Sequence, residues 1–162
     1  VVTDMTEAKV TVLGVPDRPG VSAALFEPLA DANVNVDMIV QNTSTDGTTD
    51  ISFTMPKADM AQSESIVQAI ANEIGATEVT HDDGIAKISL VGAGMKSSPG
   101  IAAKMFRVLA DENVNIQMIS TSTIRVSIII PSSDMERAAI ALHTAFGLDS
   151  GADYSAPLPE RK

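Results

Sequence analysis

The sequence predicts an α+β chain made of two copies of one βαββαβ unit, each an antiparallel sheet with its helices on one face. Three matched blocks carry this expectation. LADANVNVDMI at Leu29–Ile39 returns as LADENVNIQMI at Leu109–Ile119. KVTVLGVPDRPG (Lys9–Gly20) answers KISLVGAGMKSSPG (Lys87–Gly100), and ISFTMPKADM (Ile51–Met60) answers VSIIIPSSDM (Val126–Met135). Length differences fall in loops, one within the strand-to-helix loop of the second pair and the rest between the blocks, where the chain tolerates them.

In the first copy, Lys9–Val15 alternates and is rich in β-branched residues, as a strand with one buried face requires. Val21, Ala24, Leu25, Leu29 and Ala32 then recur at helical spacing, with Pro19 suited to the first turn and Pro28 inside, where it should kink or destabilise the helix. Val34–Asn42 and Thr49–Met55 read as a hairpin about Ser44-Thr45-Asp46-Gly47. Asp59 is placed to cap a helix over Met60–Ile74, whose Ile66, Val67, Ile70 and Ile74 share a face, and Thr77–His81 gives a fourth strand.

The second copy supplies a strand at Lys87–Val91 and a helix from Pro99 to Asp111 with Ser98 as N-cap. Strands at Val114–Ser120 and Ile124–Ile130 and a helix over Met135–Phe146 follow, and no fourth strand is legible after Phe146. The missing strand has a candidate at the other end of the chain. VVTDMTEAKV (Val1–Val10) aligns without a gap to VTHDDGIAKI (Val79–Ile88), so Val1–Asp4 should complete the second sheet and interlock the modules. An open apolar edge would otherwise invite another chain. The expected organisation is two ferredoxin-like modules, residues 5–82 and residues 83–148 with strand 1–4, followed by a tail at 149–162.

With 162 residues, 44% of them hydrophobic, the chain can bury a core for each module, built mainly of aliphatic side chains and Met because only Tyr154 and four Phe are aromatic. A net charge of −10 argues against nucleic acid, which demands clustered Lys and Arg. No apolar run approaches the ~20 residues that span a bilayer. A signal-peptide pattern is missing from the first residues, so a cytoplasmic protein without membrane partners is expected. The first residue is Val rather than Met, which leaves a fragment and a processed product both open.

Residues for catalysis or metal binding do not converge. His81 and His143 have no partner at ligand spacing, Gly92-Ala93-Gly94 is a bare GxG, and Gly94-Met95-Lys96-Ser97 lacks the phosphate-loop spacing. Met38 and Met118 at matching strand positions suit core packing, and Asp82-Asp83-Gly84 suits a turn. No cofactor is implied.

What each copy does hold is a loop ending at a helix start, and an Asn-rich strand directly after that helix. Helix-start N–H groups attract a carboxylate, while Asn and Asp oxygens accept from an ammonium, so together they suit a free amino acid. The first copy offers Asp17, Pro19, Gly20 and Ser22 with Asn35, Asp37 and Gln41; the second offers Gly100, Asn113, Asn115 and Ser122. Equally, Asn33, Asn35, Asn113 and Asn115 could simply stop helices and cap turns.

Four strings, TEAKVTVLG, QN…DGTTDISFT, KISLVGAGMKSSPG and NVNIQMISTSTIRVS, give the chain a family resemblance from about Val1 to Leu148. It resembles the tandem ACT modules at the C-terminus of aspartokinase, especially the separate regulatory β subunit of α2β2 enzymes. The resemblance implies a non-catalytic, homodimeric regulatory chain that binds L-threonine and L-lysine as feedback effectors. It would signal to a catalytic aspartokinase α subunit that phosphorylates aspartate, from sites between the first module of one chain and the second of its partner.

By the same resemblance, Asp17, Gly20, Asn35, Gln41, Asn115 and Ile116 match threonine-binding positions. Ser22, Asp37, Ile101, Ala102 and Ser122 fall where lysine binding or feedback sensitivity is placed, and Pro19, Val34 and Asn113 complete the effector-binding set. Two departures weaken the lysine site. Thr123 replaces a Glu, and Ala102 replaces a Thr; a lost charge-assisted bond is worth about 1.5–3 kcal/mol. The competing expectations are a tandem ACT sensor of another amino-acid pathway, and an acylphosphatase-like enzyme that cradles phosphate in the first βα loop with Arg18.

Overall fold

The computed structural model describes residues 1–42, 46–92 and 100–147. Strand β1 (Val2–Asp4) comes first, followed by β2 (Glu7–Pro16), α1 (Val21–Asp31), β3 (Ile39–Gln41), β4 (Thr48–Pro56), α2 (Met60–Ile74) and β5 (Glu78–Asp82). The repeat then gives β6 (Ile85–Val91), α3 (Ile101–Asp111), β7 (Met118–Thr121), β8 (Arg125–Pro131) and α4 (Met135–Ala145), with a short 3-10 turn before α2 and another before α4. The chain forms two compact units, one of Thr6–Gly84 and the other of Val1–Met5 with the chain from Ile85 on.

Each unit has a four-stranded antiparallel sheet, ordered β3-β4-β2-β5 in the first module and β1-β6-β8-β7 in the second. The N-terminal strand closes the second sheet as its sequence match to Val79–Asp82 suggests. Val2 pairs with Ser89, Thr3 with Ile88 and Asp4 with Lys87. The β2–β5 ladder, from Lys9 with Asp82 to Leu13 with Glu78, keeps that same register without insertion. The first module is thus inserted, in sequence, between two parts of the second.

Alternation along β2 sends Val10, Val12 and Val15 into a core with Val21, Leu25 and Leu29 of α1 and Val67, Ile70 and Ile74 of α2. Phe53 anchors it, its ring meeting Phe26 edge-on at 5.2 Å. The second core repeats the plan with Ile88, Leu90, Ile101, Met105, Leu109, Ile128 and Leu142. Each fully buried Leu, Ile or Phe contributes about 1.5–3 kcal/mol, which is why the helical faces rather than local propensity hold these elements. On the alternate sheet face, matched hydroxyl pairs cross the strands: Thr11 with Ser52 at 2.9 Å and Ser89 with Ser127 at 2.7 Å.

Several local expectations are corrected. Residues 34–38 and 114–117 are not regular strand, because the strand starts only at Ile39 and Met118. In the first module Thr54 takes the place of ladder partners: its Oγ1 accepts the Met38 N–H at 3.1 Å, and its carbonyl accepts the Asp37 N–H at 3.0 Å. Helix α1 starts at Val21 rather than at Pro19, since Gly20 turns the chain at φ 90°. Pro28 lies inside it, as expected, and α1 is as long as α3, which has Val108 there. Asp59 makes no side-chain cap to α2 because a 3-10 turn already leads into the helix. Ser98, Pro99, Ser44, Thr45 and the tail lie outside the described residues.

Gly14 marks a bulge in β2, with φ 65° and a register shift between Val12 and Val15. A Cβ there would lie 2.1 Å from Thr77 Oγ1 and 2.8 Å from Thr77 Cβ. Gly20 shares the left-handed backbone but has open space around it. Gly14→Ala should therefore lower unfolding stability by about 2–4 kcal/mol, combining strain and overlap, and Gly20→Ala by only about 1 kcal/mol. Urea unfolding of the two variants measures the difference.

Candidate functional site

The first module's candidate site brings together the end of β2, the start of α1 and the edge strand β3. The bulge at Gly14, fixed by its N–H donating to Asp50 Oδ1 at 3.1 Å, directs the chain into the loop Asp17–Gly20. The Asp17 N–H donates to the Gly47 carbonyl at 2.9 Å, tying this loop to the β3–β4 turn. That turn is stabilised by Asp46. Its carboxylate accepts from the Thr48 N–H at 3.0 Å and the Thr48 hydroxyl at 2.9 Å, and the backbone bond first, then the hydroxyl, holds its pKa below the ordinary carboxylate range. A lowered folded-state pKa means the turn's contribution is present above the ordinary range and lost as pH falls through the lowered value.

Among the described residues no side chain caps α1 or α3, since both begin after a left-handed glycine, Gly20 and Gly100. A helix start of this kind leaves first-turn N–H groups without intrahelical partners, and the helix dipole favours an anion there. Across this opening in the first module, the Ser22 hydroxyl donates to Gln41 Oε1 at 3.1 Å. Two residues 19 apart in sequence thus join the helix start to the edge strand. Asp17, Pro19, Gly20, Asn35, Asp37 and Gln41 are exposed and Ser22 is half-buried, whereas Val34 is 5% exposed and belongs to the core.

The second module is built alike but furnished differently. Ala102 stands where Ser22 stands, and Thr121, paired with Val126 as Gln41 is with Ile51, stands for Gln41. Ser122 is a turn residue: its N–H donates to the Arg125 carbonyl at 2.8 Å, and its Oγ accepts the Ile124 N–H at 3.4 Å. Ile101 is buried and Ile116 packs on the same core, so each turns its side chain inward. Asn113 has φ 57° and Asn33 φ 62°. In both, the following Val donates to a Leu carbonyl five residues back, Val34 to Leu29 and Val114 to Leu109, the bond pattern of a left-handed helix stop. The structural explanation accounts for Asn33 and Asn113, while Asn35 and Asn115 lie two residues beyond, exposed and outside the cap.

Met38 and Met118 are buried at matching positions, and Asp82 Oδ1 accepts the Gly84 N–H at 2.9 Å as a turn residue. Among the described residues no three His, Asp or Glu side chains group as metal ligands. Nor is any helix there long and apolar enough to cross a membrane. A pocket of about 550 Å³ lies between β1 and α4, lined by Val1, Thr3, Met135, Ala139, Ile140 and His143 among others. None of the expected effector residues lines it. The signal that sequence reading lacked was the pairing itself: Ser22 and Gln41 were legible as loop and strand residues, but not as bonded partners.

An ACT-domain model matches residues 9–75, and a second ACT-domain model matches residues 88–146. A chain in a crystal structure of aspartokinase alpha and beta subunits is 49% identical, with a TM-score of 0.85, over 90% of this chain and 96% of that one. The ligand-free regulatory subunit of aspartate kinase from Thermus thermophilus is 37% identical with the same TM-score, covering 90% of this chain and 95% of that one. The chain belongs to the aspartokinase regulatory family of tandem ACT domains. Among longer relatives, the aspartokinase of Corynebacterium efficiens is 49% identical over 150 residues, and this ACT tandem spans 91% of its own length but 36% of that protein's. The aspartate kinase of Pseudomonas fluorescens is 53% identical over 146 residues, 35% of its length.

Family membership removes the acylphosphatase alternative, and the ACT tandem's first loop supplies the physical reason. A phosphate cradle needs several free loop amides, but here Asp17 N–H bonds Gly47 and Arg18 N–H bonds the Pro16 carbonyl at 3.1 Å, while Pro19 has none. A left-handed stop accepts glycine readily. Asn113→Gly should leave stability within about 0.5 kcal/mol, whereas Asn113→Val should cost more than about 1 kcal/mol, as thermal unfolding will measure.

Proposed function

We propose that the chain is a feedback sensor that binds L-threonine, and L-lysine more weakly, between the first module of one copy and the second module of another. In a homodimer, an effector held there would favour one arrangement and pass that preference to a catalytic aspartokinase α chain, which phosphorylates aspartate. The observation that carries this reading is the bond in the first module between the start of α1 and the edge strand, where Ser22 meets Gln41 next to the left-handed Gly20. Backbone donors suit the effector's carboxylate, and Asp17 or Asp37 suits its ammonium.

Thr123 and Ala102 remove polar groups on the second module's side, so lysine gains less than threonine. Control requires a difference in effector affinity between active and inactive states, because equal affinity shifts nothing. An effector buried between copies also stabilises the dimer by mass action.

Calorimetric titration with L-threonine and L-lysine, singly and together, tests this. The expected result is saturable threonine heat, weaker lysine heat, and a sedimentation shift towards dimer at millimolar threonine. Asn35→Ala and Asn115→Ala should each weaken threonine by about tenfold, the loss of one good hydrogen bond to a charged group. No heat and no sedimentation change with either amino acid contradicts the proposal.

A further inference from the structure

We propose that the groove between β1 and α4 of the second module is covered by the chain's own C-terminal segment, residues 152–159, laid alongside β1 as an outermost strand. Strand β1 ends the second sheet, so among the described residues no strand lies on its far side. Beside that edge is the groove of about 550 Å³, with Val1 and Thr3 of β1 on one side and Met135, Ala139 and Ile140 of α4 on the other. Its apolar character is particular to this module. Helices α2 and α4 begin at matching residues, Met60 and Met135, so Ala139 stands where the first module has Glu64, and Ile140 where it has Ser65. Ile140 is 61% exposed, more than any other large hydrophobic side chain among the described residues. An apolar helix face beside an open sheet edge suits an added strand, which takes backbone bonds from the edge and side-chain seats from the groove.

The segment that follows α4 has the sequence to fill it. In ADYSAPLP, residues 152–159, Ala152, Tyr154, Ala156 and Leu158 fall on every second residue, the spacing that lines one face of a strand. Pro157 and Pro159 share the other phase, so their missing N–H groups fall on one edge of such a strand. That excludes a sheet interior but fits an outermost strand, whose prolines face away from β1 and end further pairing. The connection is also long enough. In the first module, β5 begins at Glu78 after the short link 75–77 from α2, and runs antiparallel to β2. Strand β1 holds the corresponding place and direction beside β6, so a chain leaving α4 comes out at the start of β1 and meets that place already taken. The next place is one strand spacing out, about 4.8 Å, and residues 148–151 reach about 13 Å when extended.

The chain has one Tyr and no Trp, so tyrosine emission reports on this segment alone. The test is acrylamide quenching of Tyr154 in the full chain, compared with a synthetic peptide of residues 148–162. With the segment seated, the quenching constant of the chain should be about threefold below that of the peptide, because the ring is largely withdrawn from solvent. Ile140→Glu, at an exposed position outside the core, sets a carboxylate in the apolar groove and should raise quenching to the peptide's level, whereas Ile140→Leu should keep the protection. Leu158→Asp, which changes only the segment, should release Tyr154 in the same way, so a folding defect at Ile140 does not decide the result. Tyr154 quenched in the full chain as in the peptide leaves the groove to another partner, and protection found only at high protein concentration gives it to a second copy's segment; either overturns the proposal. So does protection that survives Ile140→Glu or Leu158→Asp.

Discussion

The second module depends on a strand that the chain makes before it makes the first module. Val2–Asp4 pairs with Lys87–Ser89 at the edge of a sheet whose other strands lie beyond residue 84. Without it, β6 would present an unpaired edge of N–H and C=O groups flanked by Ile85, Ile88 and Leu90, a surface that pairs readily with foreign strands. The consequence is topological: the first module is an insertion, and the closing contact of the second spans more than eighty residues of sequence. Such non-local contacts bear their loop-closure entropy before they return any stabilisation, which places the completion of this sheet late in folding.

Within that frame, duplication explains the plan and divergence explains the chemistry. Both modules turn at a left-handed glycine before the helix, bury three residues on one face of it, and stop it at a left-handed Asn. These shared devices set where the helix start and the edge strand lie. What differs is the side chains mounted at those places. Ser22 and Gln41 join the helix start to the edge strand in the first module, whereas Ala102 leaves the second without that bond and Ser122 is engaged in its own hairpin turn. A pair of like scaffolds thus carries unlike side chains at corresponding places.

Much of this was legible in the residues because the strongest signals were periodic. Helix α2 falls at Met60–Ile74 as its apolar spacing requires, and the swapped strand was visible as an ungapped match between the chain's first residues and Val79–Ile88. The shortfalls share a cause. Residues 34–38 look like strand because Val34, Val36 and Met38 alternate, but Asn33 holds the chain at φ 62° and Thr54 diverts the Met38 N–H to its own hydroxyl. That competition comes from a residue sixteen positions away, so no local pattern announces it. Likewise, no local pattern announces that the side chains of Ile101, Ile116 and Val34 face the cores or that Asn113 forms a helix stop. Residue type suggested which positions carry polar groups; only tertiary placement separated exposed ones from those built into the core or a helix stop.

The dependence of the second sheet on its borrowed strand is open to a direct measurement: amide hydrogen exchange of the chain with and without Val1–Asp4. The account predicts that the shortened chain loses protection at Lys87, Ile88 and Ser89 and through the β6–β8 ladder, while the Lys9–Leu13 amides of β2 retain theirs. Unchanged protection in β6 after the deletion would contradict it.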